Sequence, residues 1–186
     1  MGKSFNETHK VDIRKRALEL TKMFENKSDL EIVQSLYKMA DDRIKEMVLS
    51  NPLSCTKGCS FCCHGEVQIS NIEASYFLNK IGESKGNEEI LKKQNSVKDF
   101  KELKWVNTRC PMLGENEECT VYEDRPLICR MTNSIDNPQL CKENEPRRRL
   151  FMIEISAIQA SLIILSDRKL ISLHKLLINK NLENNI

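Results

Sequence analysis

The sequence lacks both a dominant sign of charge and a long hydrophobic run. Its 29 Lys and Arg residues nearly balance 27 Asp and Glu residues, which leaves a formal charge of +2. Such a balance gives no basic surface of the kind that nucleic-acid-binding domains use. The strongest apolar segment, residues 150–165, contains Glu154 and Gln159 and is shorter than the roughly 20 residues that span a bilayer. We therefore expect neither a nucleic-acid partner nor a membrane span, and we interpret residues 150–165 as a buried helix.

The beginning of the chain lacks an apolar stretch of signal-peptide length, and we therefore expect a cytoplasmic protein. The 186 residues are expected to form a single domain, 1–186, because domains commonly contain roughly 100–200 residues. The eight cysteines are not expected to form a disulfide framework, since cytoplasmic thiols stay reduced. Metal binding is therefore the first interpretation of the cysteines.

Hydrophobic periodicity predicts a mainly α fold. Apolar residues recur at helical spacing through residues 10–50, and the sequence from Ser28 to Glu31 has the pattern of a capping box that begins the second of two N-terminal helices. A second capping box, from Ser70 to Glu73, predicts another helix, for which Gly82 is the expected terminator. No run alternates apolar and polar residues for long enough to predict a strand.

The later part of the chain is less regular. A weaker helix is expected around residues 88–103, whereas from residue 108 to residue 145 the periodicity fails. Such a long irregular stretch within a compact domain needs something other than an apolar core to order it. Beyond this stretch, Pro146 fits the first turn of a C-terminal helix or helix pair over residues 146–180, with a break at Ser166-Asp167.

Two irregular regions carry all the cysteines. Thiolates hold zinc ions and the irons of iron–sulfur clusters, and four thiols within nine positions are not a chance distribution. We therefore predict that residues 55–64 and 108–145 converge on a metal or iron–sulfur centre within a helical scaffold. The candidate ligands are Cys55, Cys59, Cys62, Cys63, Cys110, Cys119, Cys129 and Cys141.

The division of these thiols among sites stays open. Cys59 and Cys62 have a spacing that brings two sulfurs onto one zinc ion or one cluster. Cys62 and Cys63 are adjacent, so we expect their side chains to point apart and to serve different sites, or one of them to support the metal ligands without binding the metal or to be redox-active. Eight thiols permit two four-thiolate sites and equally permit one cluster with spare ligands. His64 is an alternative nitrogen ligand.

Residues beside the second cysteine region could tune its thiols. Pro126 can begin a short helical turn, which would place Cys129 near the positive end of a helix dipole and favour its thiolate. Arg125 and Arg130 either offset the negative charge of a thiolate site or lie on a solvated face. The sequence leaves both interpretations of these arginines open.

The order of these motifs resembles the CxxCxxCC-type cysteine-cluster family of zinc- or iron-chelating proteins. The likeness rests on Cys55-x3-Cys59-x2-Cys62-Cys63, on Cys110-Pro-Met-Leu, on Cys119-x-Val-Tyr-Glu-x-Arg-Pro-x-x-Cys129-Arg and on Cys141. The first gap has three residues where the family label has two. The resemblance implies a bound metal or iron–sulfur centre and no settled reaction. Flagellin lysine N-methylases are similar in the cysteine region, but they are considerably longer, and we do not extend their activity to this chain.

Three functions are compatible with these patterns. The first is a protein that binds zinc or an iron–sulfur cluster for electron transfer, redox sensing or metal handling. The second is a structural zinc module that mediates contact with a protein partner, which the sequence does not identify. The third is an enzyme that uses an iron–sulfur cluster. The spacing from Cys55 to Cys62 also occurs in radical S-adenosylmethionine enzymes, but the repeated strand–helix units of that class are not predicted here.

Overall fold

The computed structural model describes residues 7–50, 52–56, 58–81, 109–142 and 153–183. Two short strands, β1 (Gln68–Ser70) and β2 (Leu170–Ser172), and two 3-10 turns, Phe61–His64 and Tyr122–Asp124, accompany the helices. The described helices, numbered in chain order, are α1 (Glu7–Met23), α2 (Asp29–Val48), α3 (Asn71–Ile81), α4 (Leu127–Met131), α5 (Gln139–Lys142), α6 (Ile153–Leu165) and α7 (Leu173–Glu183). The prediction of a mainly α fold is thereby confirmed.

Both capping boxes predicted from the sequence are present. At the start of α2, the Glu31 backbone donates to the Ser28 hydroxyl, and the Glu31 carboxylate accepts from the Ser28 backbone. The same reciprocal pair joins Ser70 and Glu73 at the start of α3, with distances of 3.1 and 3.2 Å. These bonds satisfy backbone donors that a helix leaves without an internal partner, so the local sequence determines where both helices begin.

The first apolar core lies between α1, α2 and α6. Helix α1 packs mainly against α6, and α2 packs against α6 and α3. Leu20 of α1 and Leu36 of α2 are buried in this core together with Ala157 and Leu162 of α6. Leu127, at the start of α4, belongs to the same core. The short helix that carries Cys129 is therefore packed directly on the long helices.

The prediction that no strand is present is wrong for the described residues. Strands β1 and β2 pair antiparallel, with Ile69 opposite Ile171. Each strand has only three residues, which is too short for alternation to be recognised, and the pairing is made by residues about a hundred positions apart. Ahead of β2, the chain leaves α6 at the predicted break, where Asp167 and Arg168 both adopt positive φ values.

A second apolar core lies where α3 and α7 meet the cysteine-bearing segments. Phe77 of α3 and Leu177 of α7 are fully buried in it. Cys110 and Met112 are buried in the same cluster, and Cys63 packs against it. Part of the irregular stretch therefore has an apolar anchor of its own, which the failed periodicity did not indicate.

Several expectations fall on residues outside the described ranges. These are the terminator Gly82, the helix around residues 88–103 and the start of the C-terminal helices at Pro146. The described part of the segment 150–165 is α6, in which Ile155 and Ile158 are buried, as expected. Within the described ranges, no helix combines the length and hydrophobicity needed to span a lipid bilayer.

Candidate metal centre

The first cysteine region folds into two tight turns. The backbone of Cys59 donates to Thr56 at 3.0 Å, and Gly58 between them has a φ of 85°, which a residue with a side chain rarely adopts. The following 3-10 turn closes with a bond of 2.7 Å from the Cys63 backbone to Ser60. These turns order the segment that carries the first four cysteines, without an α-helix or a strand among its described residues.

Cys62 and Cys63 do not diverge, contrary to the prediction from their adjacency. A hydrogen bond joins the two thiols. Successive side chains on a 3-10 turn are separated by about 120°, less than on a strand, so neighbouring thiols can touch. Their environments still differ, because Cys62 is exposed while Cys63 is half-buried against the second apolar core.

The second cysteine region begins with a small hairpin. Leu113 and Cys119 form an isolated antiparallel bridge, and both the backbone and the hydroxyl of Thr120 donate to the carbonyl of Met112, at 2.9 and 2.8 Å. Glu117, in the turn, has a φ of 58°. Cys110 and Cys119 therefore belong to the same hairpin.

Helix α4 carries Cys129 and is anchored by a buried carboxylate. Pro126 precedes its first residue, as predicted, and the Leu127 N–H donates to Glu73 Oε1 at 2.8 Å. The Tyr37 hydroxyl donates to the same oxygen at 2.9 Å, and the Ser70 hydroxyl donates to Oε2 at 3.1 Å. Glu73 thus connects α2, α3 and α4, a role that its capping-box position in the sequence did not reveal.

Arg130 fixes the other end of α4 and does not lie on a solvated face. Its guanidinium is buried, donates to Asp41 of α2 and to the carbonyls of Arg125 and Glu123, and lies 4.2 Å from the centre of the Tyr37 ring. These bonds use the charge to hold α4 against α2. The charge-offset interpretation does apply to Arg125, which favours the thiolate forms of Cys119 and Cys129.

Backbone hydrogen bonds join the two cysteine regions directly. The Cys110 N–H donates to the Cys63 carbonyl at 2.7 Å, and the Ser54 N–H donates to the Ser134 carbonyl at 2.9 Å. The Cys55 thiol also points to the Ser134 carbonyl, at 4.0 Å. Segments that are far apart in the sequence are therefore neighbours in space.

Helix α5, which carries Cys141, packs against the 3-10 turn Phe61–His64. The remaining cysteine of the second region is thereby brought to the first region. The imidazole of His64 lies beside a carboxylate, with 3.8 Å between its Nε2 atom and Glu117 Oε2.

The thiols differ in exposure: Cys55 and Cys62 are exposed, Cys110 is buried, and the other five are half-buried. Burial raises the pKa of Cys110 to about 11, and the charge of Cys119 adds to this rise. The pKa of Cys63 is raised first by the hydrogen bond that its thiol donates to Cys62 and then by burial. Thiolates in this cluster are disfavoured until a positive charge is placed among them.

Cys62 is the thiol whose negative charge raises the pKa of most of the other thiols. Besides its effect on Cys63, it raises the pKa of Cys55, Cys110, Cys119 and Cys129. Charges on Cys59 and Cys141 also raise the pKa of Cys55. All eight thiols are therefore linked electrostatically, with the exposed Cys62 common to both cysteine regions.

The expectation that α4 favours the thiolate of Cys129 is wrong. Burial raises the pKa of this thiol, and the charges of Cys110, Cys62 and Cys119 raise it further. A helix of five residues has a weak dipole, which does not offset burial and three neighbouring thiols. The position of Cys129 suits a ligand that a metal deprotonates more than it suits a reactive free thiol.

The candidate thiol ligands suit zinc or iron chemically, but within the described residues they are not yet arranged around a single metal position. Thiolates are soft ligands that zinc and iron–sulfur clusters accept. Across residues 7–50, 52–56, 58–81, 109–142 and 153–183, however, no group of three Cys, His, Asp or Glu side chains is already arranged to hold a metal ion. Binding would therefore draw the thiols closer together.

Comparison with known proteins finds a family match for the cysteine-bearing half of the chain. Residues 54–149, more than half of the 186 residues, match the model of the CxxCxxCC family, described as a "Putative zinc- or iron-chelating domain". No curated protein and no solved structure matches the chain. The matched range contains all eight cysteines.

Proposed function

Since this chain belongs to the CxxCxxCC family of zinc- or iron-chelating domains, we propose that its clustered thiolates bind zinc or an iron–sulfur cluster in a centre for electron transfer, redox sensing or metal handling. Family membership supports metal binding in general. The observation that carries the proposal for this chain is the direct contact between the two cysteine regions, through the bond of 2.7 Å from the Cys110 N–H to the Cys63 carbonyl and the packing of α5 on the turn Phe61–His64. The ligands would come from both cysteine regions.

Metal binding would relieve the electrostatic cost of this cluster. Burial and mutual repulsion oppose thiolates here, as the raised pKa of Cys110 illustrates. A bound cation compensates the negative charges and deprotonates its thiol ligands, so metal affinity rises with pH. When bound, zinc supplies a closed four-ligand link between segments, whereas an iron–sulfur cluster supplies a one-electron redox centre.

The exposed thiols favour a centre that exchanges metal or electrons over a purely structural one. Cys55 and Cys62 lie at the protein surface. Exposed thiolate ligands are accessible to a metal-accepting molecule or to a redox partner. The same two thiols belong to the first cysteine region, which provides the accessible side of the proposed centre.

A structural zinc module remains the second candidate because the other side of the cluster is closed. Cys110 is buried beside Met112 and Leu113, and Cys63 packs against the same apolar core. Structural zinc sites have all four positions filled by protein ligands and contribute directly to folding. Under this alternative, the metal would not exchange while the protein stays folded.

An enzyme of the radical S-adenosylmethionine class gains no support from the described strands. That class requires parallel strands alternating with helices, whereas β1 and β2 pair antiparallel and have three residues each. The order of helices around the first cysteine region agrees with the same conclusion.

The decisive experiment is the metal content and visible absorption of anaerobically purified protein. Iron accompanied by sulfide-dependent colour would identify a cluster, and colourless stoichiometric zinc would identify a zinc centre. A competing chelator then separates the two zinc-based functions, because an exchangeable centre yields its metal to the chelator without unfolding. Absence of bound metal after reconstitution with zinc, or with iron and sulfide, would contradict the proposal.

Substitution of the adjacent cysteines tests the division of ligands. We expect Cys62→Ser to remove more metal than Cys63→Ser, because Cys62 lies close enough to thiols of both regions to raise their pKa. Serine keeps the size of the side chain but is a poor ligand for soft sites. Thr56→Ser, in the same exposed loop, is the matched control. Complete and equal loss of metal from both cysteine variants, with helical content retained, would mean that the two thiols have one shared role.

A further inference from the structure

The turn between Cys110 and Cys119 contains a residue in an unfavourable backbone conformation. Glu117 has a φ of 58°, in the left-handed region that glycine and asparagine occupy most easily. Its backbone closes the turn by donating to Gly114 at 3.2 Å. A glutamate in this conformation carries a cost in free energy that its side-chain contacts must offset.

The carboxylate of Glu117 accepts hydrogen bonds from both cysteine regions. The hydroxyl of Ser60 donates to Oε2, and Nη1 of Arg109 donates to Oε1. The second guanidinium nitrogen of Arg109 donates to the Gly114 carbonyl at 2.8 Å. The His64 imidazole approaches the same Oε2 atom to 3.8 Å. One side chain thus joins Ser60 and His64 of the first region to Arg109 of the second.

These partners directly flank the candidate ligands. Ser60 lies between Cys59 and Cys62 and is itself buried, and Arg109 immediately precedes Cys110. Glu117 lies two positions before Cys119. The carboxylate therefore holds the loop of the first region against the hairpin of the second, through bonds that involve no thiol.

We propose that Glu117 is a positioning residue, which gathers the two cysteine regions before the metal binds. The proposal rests on the proposed metal-binding function and adds the means by which the ligands are brought together. Ligands that are already gathered lose less conformational freedom when a metal binds. Glu117 therefore raises metal affinity without contacting the metal.

The other connections between the regions determine what loss of Glu117 should change. The bond from Cys110 to Cys63 and the bond from Ser54 to Ser134 do not involve this carboxylate. Both bonds remain available when Glu117 is replaced, so the variants are expected to fold and to keep every thiol. The affected quantity is the affinity for metal, with the number of bound ions unchanged.

The test uses the full chain, titrated with cobalt(II) under anaerobic reducing conditions, because thiolate ligation of cobalt produces visible absorption. We expect Glu117→Gly to lower the affinity about 10–100-fold, the range found when groups that orient metal ligands are removed. Glu117→Gln should fall between this variant and the wild type, since its amide oxygen still accepts one hydrogen bond. Glu115→Gln removes the same charge from an exposed position in the same turn and is the matched control, with wild-type affinity.

Urea unfolding of the metal-free variants separates positioning from ordinary stabilisation. Glycine removes the backbone strain at position 117, so Glu117→Gly should lose much less stability than affinity. A parallel loss of both quantities would overturn the positioning role, as would unchanged affinity in Glu117→Gly. A wild-type protein that binds no cobalt, and that assembles no cluster with iron and sulfide, would instead contradict the metal-binding function itself.

Discussion

The helical region and the cysteine region of this protein are ordered by different forces. In the helical region, α1, α2 and α6 bury a continuous set of apolar side chains, among them Leu20, Leu36 and Leu162. In the cysteine region, which comprises the described residues 54–56, 58–64 and 109–142, specific hydrogen bonds and the smaller core around Cys110 and Met112 order the chain. We therefore expect only the cysteine region to depend on a bound metal for its order.

Metal removal should produce the largest difference between the two regions. If the metal orders residues 109–142, its binding free energy, on the order of 10–16 kcal/mol in zinc-finger peptides, contributes to their stability. Chelation under reducing conditions should therefore raise amide hydrogen exchange in residues 109–142 while α1, α2 and α6 stay protected. Hydrogen-exchange mass spectrometry gives the comparison. Unchanged exchange after proven loss of metal would show that hydrogen bonds alone order this stretch.

A cavity in the helical core should act on the helical region regardless of metal. Leu36 is fully buried, so Leu36→Ala should lower the free energy of unfolding by about 2–5 kcal/mol. Denaturant titrations should give the same loss in metal-loaded and chelated protein, with an unchanged amount of bound metal per folded molecule. Leu30→Ala, at a half-exposed position of the same helix, is the control and should cost little. A loss of stability that appears only in the chelated protein would show that the two regions unfold as one cooperative unit.

Alkaline pH should destabilise the cysteine region of the metal-free protein. Burial raises the pKa of Cys110 from 9.0 to about 11, so the folded state holds this proton more tightly than the unfolded state does. Stability is complete below about pH 9 and falls as the pH rises towards about 11, by about 2–3 kcal/mol from Cys110 alone. Urea unfolding across this range, with reductant present, measures the slope. Cys110→Ala should make the slope less steep, although Cys63 and Cys129, whose pKa values are also raised, keep part of it. An equally steep slope in that variant would assign the whole effect to other groups.

The junction between the two regions should respond to a change at Glu73. Both carboxylate oxygens accept hydrogen bonds, whereas the amide of Glu73→Gln turns a donor towards donors from Tyr37, Leu127 or Ser70. Leaving buried groups unsatisfied should cost about 1–3 kcal/mol. Thermal unfolding measures the loss, and hydrogen exchange should rise first in α4. Glu25→Gln, at an exposed site, should leave both measurements unchanged. The same result in Glu73→Gln would mean that Arg130 and the packing of Leu127 hold α4 without this carboxylate.

The sequence predicts those features that depend on neighbours along the chain. The capping boxes at Ser28 and Ser70 place two helix starts, and Pro126 places a third. The break after α6 follows from polar residues at Ser166-Asp167. Each of these signals is contained within a few residues, so no knowledge of the folded chain is needed to recognise it.

Features that depend on distant partners could not be predicted in this way. The strand pairing of Ile69 with Ile171 and the anchoring of Leu127 by Glu73 both join segments far apart in the sequence. The raised pKa of Cys129 likewise arises from burial and from cysteines of other segments. Sequence spacing identified the thiols, but their charges depend on which of them become neighbours after folding.

The order of segments along the chain has a consequence for synthesis of the protein. Helix α1 packs mainly against α6, which begins at Ile153. The last cysteine is Cys141, so a ribosome completes every candidate ligand before it makes the helix that covers α1. Chains emerge from the ribosome N-terminus first, and metal can therefore reach the thiols of a nascent chain before its helical core has closed.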